Sequence, residues 1–191
     1  DLLVQSLSKM PKKKLAQIMP VSPKLVDLNA ARYADFYGQP EKAAMFAYSG
    51  DVYIGFEAAT LEPEALHFAQ DHVRILSGLY GLLRPFDAIR PHRLEMGTKW
   101  APRYKRLTDF WGARIADLLR DDTAEAGAPF VLNLASQEYW ASVAPFAKKL
   151  GVPVVNVDFR QDGPNGPTFG SFAAKRARGM MARFVCEHRL E

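Results

Sequence analysis

The 191-residue chain has a single cysteine and four histidines. Cys186 has no internal disulfide partner, and the histidines at 67, 72, 92 and 188 are too scattered for a structural zinc site, so the expectation is no metal and no cofactor. Long hydrophobic runs are missing as well. Those such as 129–132 and 152–155 fall far short of the roughly 20 residues that span a bilayer. The chain opens Asp1-Leu2-Leu3-Val4-Gln5, without the basic start and apolar stretch of a secretory signal. Asp1 is not an initiator Met, which points to a chain trimmed at its start. There is no Gly-x-Ser-x-Gly, no Walker loop, no internal repeat and no charge excess of either sign beyond +4. What remains is an ordinary globular composition, 48% hydrophobic and 24% charged, expected to form one domain over 1–191, monomeric and in a reducing cytoplasm.

The small net charge hides segregation. Residues 9–24 carry +5, 25–73 carry −6, 74–106 carry +6, 107–174 carry −3 and 175–191 carry +3. Two basic blocks brought together would make a surface for a polyanion; pointing apart, they would be solvated faces.

Apolar periodicity predicts helices over the opening residues, from Ser22-Pro23, over 41–48, from Pro63 to Gly78, over 109–119, from Ser136 to Leu150 and over 173–190. Strands are predicted at 130–135, 152–159 and 168–172, with 52–56 either a strand or a buried turn and 161–167 a hairpin or loop. The fold class is thus mixed α/β (α+β), a small mixed sheet covered by helices.

Four segments could carry chemistry. Gly78 and Gly81, with Ser77 and Tyr80, lie between Arg74 and Arg84. An exposed glycine hairpin there would offer main-chain N–H groups to phosphates, as helix-hairpin-helix modules do; the alternative is a helix end and a tight turn under an apolar cover. Next, 84–100 interleaves Arg84, Arg90, Arg93 and Lys99 with aromatics and prolines, a composition suited to a groove that holds phosphates or to local pairing with Asp87 and Glu95. In the third, Lys175, Arg176 and Arg178 start the last helix, where cations oppose the macrodipole unless an external anion offsets them. Finally, Asn133, Ser136, Glu138 and Tyr139 sit where a buried strand meets a helix, as a ligand cleft or as a capping arrangement. A small anionic substrate held by Asn133, Ser136, Lys175 and Arg178 is the enzyme alternative; no catalytic set is evident, and a binding protein is the preferred reading.

The segments 28–33, 50–55, 76–99, 133–139 and 174–181, read as Leu-Asn-Ala-Ala-Arg-Tyr, Gly-Asp-Val-Tyr-Ile-Gly, the glycine and basic run, Asn-Leu-Ala-Ser-Gln-Glu-Tyr and Ala-Lys-Arg-Ala-Arg-Gly-Met-Met, resemble the YaaA family of bacterial peroxide-stress proteins. The resemblance implies a fold outside the common superfolds with a helix-hairpin-helix-like element over Leu76–Leu83. It also implies a positive cleft for double-stranded or branched DNA that draws on Arg74, Arg84, Arg90, Arg93, Lys99, Lys175 and Arg178. Its cellular role would be protection from hydrogen peroxide by lowering intracellular unincorporated iron. Family members begin with a strand containing an Ile-Ser-Pro-Ala-Lys-like segment and continue past the last helix, so both ends are expected to be missing here.

Overall fold

A computed structural model describes residues 2–164 and 166–190. Asp1, Asn165 of the expected loop, and Glu191 lie outside the described residues. Three helices open the chain, α1 (Leu2–Ser8), α2 (Lys12–Ile18) and α3 (Pro23–Ala34). Pro11 and Pro20 separate them because proline cannot continue a helical ladder. Leu3, Leu7, Leu15 and Tyr33 from these helices pack with Met96, Leu107, Ile115 and Val143 in the larger core.

β1 (Lys42–Ala43) runs into a single-turn helix, α4 (Ala44–Ala47), and α5 (Asp51–Phe56) follows. Residues 52–56 are therefore helical, neither strand nor turn. α6 (Pro63–His72) starts at the expected proline but ends at Val73, well before Gly78. The reason is β2 (Ile75–Ser77), which pairs antiparallel with β3 (Gly81–Leu83). β4 (Ala88–Ile89) pairs antiparallel with β1. α7 (Leu107–Trp111) and α8 (Arg114–Glu125) divide the expected 109–119 helix at Gly112. β5 (Val131–Asn133) and β6 (Val154–Asn156) pair in parallel. Between them lie α9 (Gln137–Trp140) and a 3-10 turn over Ala144–Leu150; Pro145 is why one continuous helix does not form there. The strand expected at 168–172 is reduced to a bridge between Gln161 and Thr168, because α10 (Ser171–His188) has already begun.

The fold is mixed α and β, with the strands among the described residues divided among three two-stranded ladders. A second core of Met45, Phe56, Phe68 and Ala69 receives Cys186 from α10, and burial pushes that thiol up to about 11, as suits a core residue. α10 crosses α5 where Gly179 lies against the Val52 carbonyl, and a Cβ at that position would run into the carbonyl oxygen. Gly179→Ala is expected to destabilise the protein by about 3 kcal/mol, whereas Gly50→Ala, which faces open space, stays within about 1 kcal/mol; urea unfolding of both variants measures the difference.

Candidate functional site

The segment between the two glycines is a β-hairpin. α6 ends just before it, but Ile75–Ser77 and Gly81–Leu83 are themselves strands and no helix follows among the described residues until α7, so the expected helix-hairpin-helix element is corrected to strand, turn, strand. Its backbone is also covered. Gly78 packs against the Leu94 carbonyl, and its own carbonyl accepts the Trp111 Nε1 hydrogen at 2.9 Å. Gly81, at φ +83°, lies under the Trp111 ring, a backbone conformation that a Cβ would strain. Ser77 is 2% exposed and accepts hydrogen bonds from the Tyr48 hydroxyl at 2.9 Å and the Tyr80 amide at 3.2 Å. The Tyr80 hydroxyl accepts the Arg90 amide at 3.0 Å.

The register Ile75↔Leu83 sets Arg74 and Arg84 at adjoining ends of the two strands, and both guanidiniums reach Asp122 on α8. Burial alone would raise the Asp122 carboxyl; the two arginines outweigh it and hold the group below the usual carboxylate range. Arg90 pairs with Glu41 and stacks over Phe36 and Tyr37, and Arg93 pairs with Glu95. Local pairing thus takes up four of the seven cations assigned to a cleft. The other three, Lys99, Lys175 and Arg178, have no carboxylate within 4 Å among the described residues; Lys99 and Lys175 are exposed, and Arg178 is half-buried over the Phe159 ring, where desolvation lowers its pKa. Arg103, Lys105 and Arg106, counted in the basic block but not singled out, are exposed and equally unpaired among the described residues. Tyr104, 51% exposed, stands among them.

At the end of β5, Asn133 donates to Asn156 at 2.8 Å and accepts the Ala135 amide at 3.0 Å. Ser136 is the N-cap of α9 and accepts the Tyr139 amide. Glu138 turns back to accept the Gly97 amide at 3.0 Å. Asn133 and Ser136 are therefore occupied in shaping the chain reversal, as a capping arrangement requires.

Sequence reasoning missed a cluster of phenols. Tyr48 stacks on Tyr53 with ring centroids 5.0 Å apart and meets His92 edge-on. His92 donates from Nδ1 to the Arg90 carbonyl at 2.8 Å, which leaves Nε2 without a hydrogen, 3.4 Å from the Tyr48 oxygen whose own hydrogen goes to Ser77. Tyr53 and Tyr139 are partly buried, and ionising either would be opposed by a Tyr48 phenolate. Burial pushes the Tyr48 hydroxyl up to about 12, against the bond to Ser77, and drives those of Tyr53 and Tyr139 higher still. Burial, with the Arg32 charge, holds His92 below the usual imidazole range despite its bond to Arg90. The only advance signal was that Tyr53, Tyr80, His92 and Tyr139 all fall within the family-like segments.

Fold and site together define a mixed α+β protein with a partly buried, neutral phenol and imidazole cluster and an exposed basic loop unpaired among the described residues. Among the described residues no group of three His, Cys, Asp or Glu could hold a metal, and no helix is long and apolar enough to cross a membrane. The family model described as peroxide stress protein YaaA matches residues 1–191, and the chain belongs to that family. A UPF0246 protein of Rhizorhabdus wittichii is 57% identical over 187 residues, covering 97% of this chain and 74% of that protein. One from Polynucleobacter necessarius is 46% identical over 194 residues, covering 98% of this chain and 74% of its own. Another, from Neisseria meningitidis serogroup B, is 45% identical over 195 residues, covering all of this chain and 74% of its own.

Because His92 is held neutral, the unfolded chain takes the proton first as pH falls. Its contribution to stability is complete above about pH 6.5 and is lost as pH drops through the lower folded value. Urea midpoints are expected to fall between about pH 7 and pH 5, and His92→Gln to flatten that slope.

Proposed function

We propose that this peroxide-stress family member binds DNA through the phosphate backbone without reading sequence, on double-stranded or branched forms, and that the resemblance extends this role to limiting damage linked to intracellular iron. The observation that carries the reading is the run Lys99, Arg103, Lys105 and Arg106, exposed and unpaired among the described residues, with half-exposed Tyr104 between them. Cations already neutralised by carboxylates release few counterions on binding DNA; unpaired ones supply the electrostatic term in full. Lys175 and Arg176, exposed and also unpaired among the described residues, add to the same capacity from α10. The contact set thus differs from the glycine hairpin first implicated, whose backbone is covered by Trp111 and Leu94.

Fluorescence anisotropy with an unrelated pair of duplexes and a four-way junction, across a salt series, tests this. Each phosphate contact should contribute a slope of about −0.9 in log affinity against log salt. The variant carrying Lys99→Ala, Arg103→Ala, Lys105→Ala and Arg106→Ala is expected to bind all three at least ~10-fold more weakly at about 0.1 M salt, with a shallower slope. Binding that ignores salt, or full affinity in the variant, overturns the assignment.

A further inference from the structure

The backbone of the 98–107 loop is tightly set. Leu107 donates its amide to the Thr98 carbonyl at 3.0 Å, and Ala101 and Tyr104 exchange amide hydrogen bonds at 3.2 and 3.1 Å. The segment thus closes into a turn with Pro102 and Arg103 at its tip. Pro102 fixes a negative φ and Arg103 takes φ +67°, the sign pattern of a type II turn, whose third position favours glycine. An arginine there is strained, and the strain is held because Thr98, Ala101 and Leu107 are buried at the base of the loop. The tip is therefore shaped before any ligand arrives, which lowers the ordering cost of binding one. Arg103, Lys105 and Arg106 are exposed on it, and half-exposed Tyr104 stands between the first two in sequence. The Tyr104 ring meets Phe110 at 83° with centroids 6.1 Å apart, and a perpendicular contact covers at most one face of a ring. Phe110 is held in turn by the Arg114 guanidinium, 4.6 Å from its centroid.

Cations alone would serve any polyanion. A ring set among them adds a surface for a flat base, and a continuous duplex cannot use it because its bases are paired and stacked on one another. We propose, resting on the DNA-binding reading above, that this loop also takes single-stranded DNA, with a base stacked on Tyr104 and the neighbouring phosphates held by Arg103 and Lys105. Every base has a flat face, so stacking leaves the interaction independent of sequence. The strained tip keeps the ring and the two cations on one short, pinned segment, where a flexible loop would have to be ordered by the strand it binds.

The test compares three labelled DNAs by anisotropy: an oligothymidine strand, a strand of the same length with every base removed, and a duplex. The oligothymidine is expected to bind about 10-fold more tightly than the abasic strand, which carries the same phosphates. Tyr104→Ala should erase that difference, and Tyr104→Phe, which keeps the ring, should retain it; urea midpoints measured alongside show that both variants are folded. Equal binding of the two strands by the unaltered protein, or a Tyr104→Ala variant that keeps the preference, overturns the stacking role, and salt-dependent duplex binding then leaves the phosphate reading standing. A base-dependent oligothymidine complex without any duplex complex supports the single-strand site and overturns the duplex reading. If none of the three DNAs binds, both fall.

Discussion

The antiparallel pairing of Ile75–Ser77 with Gly81–Leu83 is the constraint on which the rest of this structure depends. Its turn needs a residue at φ +83° under an indole ring, which Gly81 provides, and its closed end draws Trp111 onto the Gly78 carbonyl. From that one register three consequences follow. Arg74 and Arg84 adjoin and meet at Asp122, which fastens the hairpin to α8. Ser77 comes to lie beneath Tyr48, which fixes one phenol of the buried cluster. Tyr80 is turned so that its hydroxyl receives the Arg90 amide and its ring meets His92. A helix through 75–83 would have produced none of these contacts.

Charge in this protein is sorted by pairing as much as by sequence position. Asp122, Glu41 and Glu95 come from three different stretches and neutralise four arginines of the basic block. Exposed pairs of this kind contribute little stability individually, and the shared, partly buried carboxylate of Asp122 is the one positioned to contribute more. Their larger effect is to leave the 99–106 loop and the start of α10, rather than the hairpin flanks, with free positive charge available to an external polyanion.

The interior follows the opposite logic. Tyr48, Tyr53, Tyr139 and His92 are titratable, but burial holds every one in its neutral form. α5 can present Tyr53 to this space because α10 supports its other side, and that close crossing requires a residue without a side chain at Gly179.

Much of the architecture was legible in the chain. Pro23 and Pro63 marked helix starts, the apolar runs of 131–133 and 154–156 became paired strands, and Cys186 became core, because proline geometry and apolar burial act locally. The glycine run was misread because a short apolar segment ending in Gly fits a helix terminus as well as a hairpin, and only the cross-strand partner decides between them. The candidate site divides in the same way. Composition fixed where the cations lie along the chain and that they form blocks, since charge is a property of residues. Which of them stay free, and that tyrosines far apart in sequence share one neutral cluster, was decided by tertiary structure alone, because pairing and desolvation depend on distances that no local pattern encodes.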